Sequence, residues 1–195
     1  MKSNGSDVLR PRDKRISKNF ASSLLARLAR AMENSEVPYL LTGADAVSYY
    51  GAPRRSDDKD LVVMTNSPDD LPKVVEELRK EGFELKSLEI GHNTFFDSGF
   101  RIDIKVKSEL EERRRVRLTG SLSLNLTTAE NLILVKLEFW DGLSFESNDA
   151  QDLMKILSRQ RKRLDMVQIR SEAMKRRTYR KLAKIEQHLS NSFTG

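Results

Sequence analysis

Residues 39–65 read YLLTGADAVSYYGAPRRSDDKDLVVMT, and the fold turns on them. Tyr39 to Thr42 is a short apolar run after Pro38, the pattern of a buried strand, and it runs straight into Gly43. Ala44 to Tyr50 then predicts a short helix stopped by Gly51. A strand–glycine–helix unit of this kind exposes backbone N–H groups at the helix start, with no Cβ at the turn to obstruct an anion. After a loop over 52–57, the segment Asp58-Lys59-Asp60-Leu61-Val62-Val63-Met64-Thr65 has the apolar second half of a central strand. Two residues apart in a strand, Asp58 and Asp60 emerge on one face about 7 Å apart at the backbone, so they can serve one metal centre together.

Toward the C-terminus, Ser67-Pro68-Asp69-Asp70 opens a helix through Val74, Val75 and Leu78 that Gly82 closes. Strands are predicted over Phe83 to Ile90, about His92 to Phe96, and Phe100 to Val106, separated by Gly91 and Ser98-Gly99 as in a meander. In the last of them Arg101, Asp103 and Lys105 alternate with Ile102, Ile104 and Val106. Alternation puts the Asp103 carboxylate on the polar face, where it can converge on Asp58 and Asp60. Glu109 to Arg117 reads as a charged segment and Leu122 to Leu126 as a short strand. Thr127 to Glu130 fits a capping box that opens a helix over Asn131 to Trp140, with Phe139 and Trp140 assigned to the core. Asn148 to about Ser190 is helical. Toward the N-terminus, Phe20, Leu24, Leu25, Leu28, Ala31 and Met32 recur at helical spacing behind a cap at Ser17 or Asn19. Residues 1–15 mix Gly, Pro, Ser and basic residues without periodicity and are expected to be a mobile basic arm. The resulting division is an arm over 1–15, a core over 16–126, and a helical part over 127–195 packed on the core.

Composition narrows the chemistry. With 195 residues the chain is of a size for one good core. It has no cysteine, which removes disulfides, thiol nucleophiles, iron–sulfur clusters and Cys-based zinc sites. Its two histidines, His92 and His188, are far apart, so a metal would be a hard cation held through oxygen. No apolar run approaches the roughly 20 residues of a bilayer span, and no apolar stretch follows the basic N-terminus as in a secretory signal. These features place the protein in the cytoplasm, with no membrane partner. A net charge of +6 and a pI near 9.5 favour a polyanionic partner. The excess is greatest over 155–184, where twelve Lys or Arg stand against Asp165 and Glu172. That density fits a nucleic-acid contact surface about as well as a solvated face.

Three carboxylates on two strands can hold two Mg²⁺ ions about 4 Å apart, the arrangement used for in-line displacement at phosphorus. Residues 39–65 resemble the opening of nucleotidyltransferase-superfamily proteins of the AbiEii toxin-like, minimal nucleotidyltransferase kind. Gly43 stands at the family's first glycine, Arg54 and Ser56 in its loop, Asp58 and Asp60 at its metal pair, and Phe100-Arg-Ile-Asp-Ile at the strand with its third carboxylate. Thr128 to Lys136 and Asp149-x-x-Asp152-Leu resemble its helical segment, where a lysine commonly faces the nucleotide. The resemblance covers roughly residues 20 to 160. It implies an α+β fold, a mixed β-sheet flanked by helices with a helical C-terminal part closing one side of a nucleotide cleft. It also implies transfer of a nucleoside monophosphate from an NTP to an acceptor hydroxyl, with Asp58, Asp60 and Asp103 as catalytic and metal-binding residues. Gly43, Ala44, Arg54, Ser56 and Lys136 would bind the nucleotide, two Mg²⁺ (Mn²⁺ in their place) would be the cofactors, and RNA of the tRNA kind would be the acceptor. A toxin role with an antitoxin protein as partner goes with it.

Three positions depart from the family. Ala44 replaces a second glycine or serine, Asp45 brings a negative charge to the helix start, and Lys59 stands between the two aspartates in place of an apolar residue. Lys59 predicts either that the strand end is exposed on its far side or that the lysine makes a surface contact. Two alternatives remain open at this level: a non-catalytic protein of the same fold that binds nucleic acid or a partner, and a toxin whose acceptor is a protein hydroxyl.

Overall fold

The computed structural model describes residues 23–192 except 52, 54, 55, 90, 91, 98, 110, 111 and 120. The basic arm, Phe20 with its Ser17 or Asn19 cap, Arg54 and Arg55 lie outside the described residues, as does the side chain of His92. Two compact units form, one from residues up to Thr42 together with Ser56–Leu126, the other from Gly43–Arg55 together with the chain from Thr127 onward.

The first unit is a seven-stranded mixed sheet with two helices. Its strands are β1 (Tyr39–Thr42), β2 (Asp58–Met64), β3 (Glu84–Glu89), β4 (His92–Asp97), β5 (Phe100–Lys107), β6 (Arg113–Thr119) and β7 (Leu122–Thr127), in the order β3-β4-β5-β2-β1-β7-β6. The meander β3-β4-β5 is antiparallel throughout, β5 joins β2 in parallel, β1 runs antiparallel to β2, and β7 runs parallel to β1. β2 lies at the centre, and Leu61, Val62 and Val63 are all buried, which is why its sequence is a continuous apolar run rather than an alternation.

Helices α1 (Leu24–Ser35) and α3 (Asp70–Lys80) pack together in this unit through apolar faces that include Leu28, Met32, Val74 and Leu78. α1 is capped by Ser23, whose Oγ accepts from Ala26 N–H at 3.4 Å. Its Arg27 donates through Nε and Nη2 to the Glu81 carbonyl and pairs with Asp97 at 2.7 Å, while lying 4.6 Å over the Phe83 ring. That one guanidinium ties α1 to the end of α3 and to β4. Gly82, at φ +86, makes the turn from α3 into β3 in a conformation that L side chains rarely adopt.

The charged segment 109–117 contains β6, a strand that composition hid. At the edge of the sheet its arginines need no apolar cover: Arg113, Arg115 and Arg117 are exposed while Val116 is buried. Charged side chains on an edge strand also discourage pairing with another chain.

The second unit is all helical: α2 (Gly43–Tyr50), α4 (Ala129–Phe139), α5 (Asn148–Gln160), α6 (Met166–Lys175) and α7 (Tyr179–Ser192). Its core gathers Val47, Leu132, Ile133, Leu137, Trp140, Leu153, Ile156, Ile169, Leu182 and Ile185. Each large side chain so buried contributes about 1.5–3 kcal/mol. The predicted capping box is corrected by one residue. Thr128 caps α4, accepting from Asn131 N–H at 3.3 Å, whereas Thr127 ends β7, is buried, and has its carbonyl taken by the Tyr50 hydroxyl at 2.9 Å. Phe139, assigned to the core from sequence, is 71% exposed; it is the last residue of α4 and only Trp140 beside it turns inward. The region read as helical from Asn148 onward consists of three helices, with breaks after Gln160 and Lys175. At the second break Thr178 N–H bonds to Ala173 O and Arg177 N–H to Met174 O, a Schellman closure with Arg177 in the left-handed region at φ +59.

A candidate carboxylate centre on the central strands

The register of three strand pairs builds one polar row across the sheet. Thr42 on β1 is opposite Asp60 on β2, Asp60 is beside Asp103 on β5, and Asp103 is opposite Thr94 on β4. Neighbouring strands are about 4.8 Å apart, so two carboxylates share one rung of the parallel pair. Asp58, two residues before Asp60, shares the next rung with Arg101. The alternate positions Leu61, Ile102, Ile104 and Phe95 are fully buried on the opposite face. The apolar face thus fixes the register, and the register sets the aspartates side by side.

Burial differs sharply along the row. The Asp103 side chain is 10% exposed and that of Asp58 46%. Thr94 Oγ1 donates to Asp103 Oδ1 at 3.1 Å, and Arg101 Nε donates to Asp103 Oδ2 at 2.9 Å. The same guanidinium reaches Asp58 Oδ2 through Nη2 at 3.1 Å. Asp60 is partly exposed at the centre of the row. Ser56 ties the entry to β2, its Oγ donating to Asp58 O at 3.1 Å and accepting from Asp58 N–H at 3.3 Å. Lys59 is neither exposed nor a surface contact, correcting both readings of it. It points to the face opposite the aspartates and is 7% exposed, with its ammonium donating to Ser56 O at 3.3 Å and lying 5.7 Å from the Phe100 ring centroid. An aliphatic stem can lie in an apolar layer while its charged end reaches a carbonyl and a ring face.

The donor set has the chemistry of a hard divalent cation: carboxylate oxygens from adjacent rungs of one sheet face, with no soft ligand. Among the described residues no group of three carboxylates or histidines is disposed to hold a metal ion, and Arg101 contacts both Asp58 and Asp103. Sequence reasoning placed Arg101 on the polar face but gave it no role, and it missed Thr94 altogether. Only strand register brings Thr94 to Asp103, and nothing local to residues 92–97 signals it.

The remaining residues singled out from sequence belong to the helical unit, apart from Arg54, which lies outside the described residues. Gly43 opens α2 at φ +62, a left-handed conformation that favours glycine, and Ala44 after it is buried. Lys136 projects from α4 toward α5, where its ammonium pairs with Asp149 at 2.7 Å and with the buried Asp152 at 3.0 Å. Asp149 and Asp152 are one turn apart on α5, so a single lysine faces both.

The cation run of 155–184 resolves into two groups. Lys175 and Arg170 pair with Glu172 and Glu186, and Arg176 pairs with Glu138. Lys181 donates to the carbonyls of Leu137, Glu138 and Trp140 at the end of α4, and Lys184 donates to Gly142 O. These residues neutralise acids or finish helix ends. Arg159, Arg161, Lys162 and Arg163, around the end of α5, are exposed.

Solved structures share the architecture. The solution structure of the antibiotic-resistance factor ANT(2'')-Ia superposes with a TM-score of 0.57 at 14% identity, over 87% of this chain and 98% of that one. The crystal structure of ANT(2'')-Ia in complex with adenylyl-2''-tobramycin gives 0.54 at 10% identity, over 71% and 88%. An antigenic nucleotidyltransferase-like protein from Paracoccidioides brasiliensis gives 0.52 at 18% identity, over 73% and 77%. The fold is of the nucleotidyltransferase type. No family model matches the sequence, and no curated protein matches it. Among the described residues no helix is long and apolar enough to cross a membrane.

Proposed function

We propose that this chain is a Mg²⁺-dependent nucleotidyltransferase that moves a nucleoside monophosphate from an NTP to an acceptor hydroxyl, releasing pyrophosphate. The observation that supports it most is the pairing of Asp60 with Asp103 on one rung, with Asp58 on the next, in a sheet of this fold type. Asp58, Asp60 and Asp103 would hold Mg²⁺, or Mn²⁺ in its place, which would supply charge for the leaving pyrophosphate and lower the pKa of the attacking hydroxyl. Asp103, fixed in place by Thr94, is assigned to take the acceptor's proton. The parts of Gly43, Ala44, Arg54, Ser56 and Lys136 in holding the triphosphate rest on the sequence resemblance. For Lys136 this requires its ammonium to give up a carboxylate partner.

RNA of the tRNA kind is the acceptor we favour, because the exposed cations around the end of α5 suit a phosphate backbone. A cytoplasmic toxin-type role, with an antitoxin partner, accompanies that choice. ANT(2'')-Ia is an antibiotic-resistance factor, so an aminoglycoside belongs in any panel of acceptors. The test is incubation with each α-³²P-labelled NTP and Mg²⁺ or Mn²⁺, with total RNA, with an aminoglycoside, and with protein alone, beside Asp58→Ala/Asp60→Ala. Label on RNA only with intact carboxylates supports the reading, and label on the aminoglycoside or on protein reassigns the acceptor. No label from any NTP with either ion overturns the transferase and leaves a binding protein of this fold.

A further inference from the structure

A guanidinium stands among the carboxylates that we assign to the divalent ion. Arg101 contacts Asp58 at 3.1 Å and Asp103 at 2.9 Å, joining β2 to β5 through their side chains. Asp103 and Asp60 are rung neighbours and Asp58 is on the next rung of the same face, so three negative charges share two adjoining strands within about 7 Å along β2. A single fork-shaped cation that donates to two of them relieves part of that repulsion.

We propose that Arg101 is the built-in counter-ion of this centre and yields to the divalent ion, so that ion entry and departure of the guanidinium from Asp58 and Asp103 are one exchange. The inference rests on the reading of the three aspartates as a metal centre. The members of the cluster are unequally mobile, and that makes exchange possible. Asp103 is nearly buried and held from its other oxygen by Thr94, whereas the Arg101 side chain is 47% exposed and has solvent open to it. Asp60 is partly exposed beside them, so an entering ion meets a carboxylate before the guanidinium has left. A singly charged guanidinium that is itself half exposed competes poorly with a doubly charged ion gaining several carboxylate oxygens.

The exchange predicts that removing the guanidinium tightens metal binding. Mn²⁺ binding to the full chain, without nucleotide, is read from the loss of the free-ion EPR signal for wild type, Arg101→Gln and Arg101→Lys. Arg101→Gln should bind Mn²⁺ roughly five- to tenfold more tightly than wild type, because Asp58 and Asp103 no longer have to give up a guanidinium first. Arg101→Lys keeps the charge but lacks the fork to span both aspartates, so it should fall between, and it remains informative if the glutamine variant folds poorly. Asp60→Asn placed on Arg101→Gln should abolish the gain. Equal or weaker Mn²⁺ binding by Arg101→Gln, with wild type binding the ion, overturns the exchange and leaves the metal centre standing. No Mn²⁺ binding by wild type or either variant overturns both.

Discussion

Arg177 occupies the left-handed position of a Schellman closure, at φ +59, where glycine is the usual residue. Arg177→Gly should therefore raise stability by roughly 0.5–1 kcal/mol in urea unfolding, since it relieves the Cβ clash of that conformation. Gly43 is the mirror of this case: at φ +62, Gly43→Ala should cost about 1 kcal/mol in the same measurement. Tyr39 gives a pH signature. Burial pushes its phenol up to about 12, outweighing the Asn125 N–H that donates to its oxygen. The folded chain then holds this proton more tightly than the unfolded chain, whose phenol titrates near 10. The stabilisation is complete below pH 10 and is lost as pH rises toward 12. Tyr39→Phe should flatten that part of the stability-versus-pH curve, and an unchanged slope from pH 10 to 12 would count against the assignment.

At the scale of elements, Lys136 with Asp149 and Asp152 joins α4 to α5. Asp152 has a 2% exposed side chain, so Lys136→Met takes an ammonium away from a buried carboxylate and should cost up to about 3 kcal/mol; pairing it with Asp152→Leu should recover most of this. Loss of activity in Lys136→Met alone would not separate a nucleotide contact from unfolding, whereas the double variant does. The elements legible in sequence were those whose pattern is local. Tyr39–Thr42, the helix after Gly43, and β2 with its run Leu61 to Val63 carry their own punctuation. β6 was not legible, because an edge strand has no need of an apolar face and Arg113 to Arg117 looks like any solvated charge run. Thr127 and Thr128 are equally good caps in sequence; only the β1–β7 pairing, which ends the strand at Thr127, decides between them. Arg101 and Thr94 were illegible as partners of Asp103 for a related reason, since register between strands is a tertiary property.

For the whole molecule, a net charge of +6 divides between cations that hold the structure and cations that face solvent. Replacing Arg159, Arg161, Lys162 and Arg163 together by Gln should weaken RNA binding and lower the slope of log affinity against log salt, with little change in melting temperature. The same change at Lys181, which gathers the final carbonyls of α4, should lower the melting temperature instead. Composition and the spacing of residues 39–65 were enough to point to the sheet and its aspartates; what the sequence left open was which neighbours those aspartates have. The central claim is that Asp58, Asp60 and Asp103 act as one metal-dependent centre. It is tested most directly by Mg²⁺-dependent pyrophosphate release from NTP in the presence of acceptor RNA, comparing wild type with Asp60→Asn, a change that keeps the shape of the side chain and removes its charge. The account predicts release by wild type that stops on chelation and falls at least roughly a hundredfold in the variant. Release at the wild-type rate by a folded Asp60→Asn protein would contradict it.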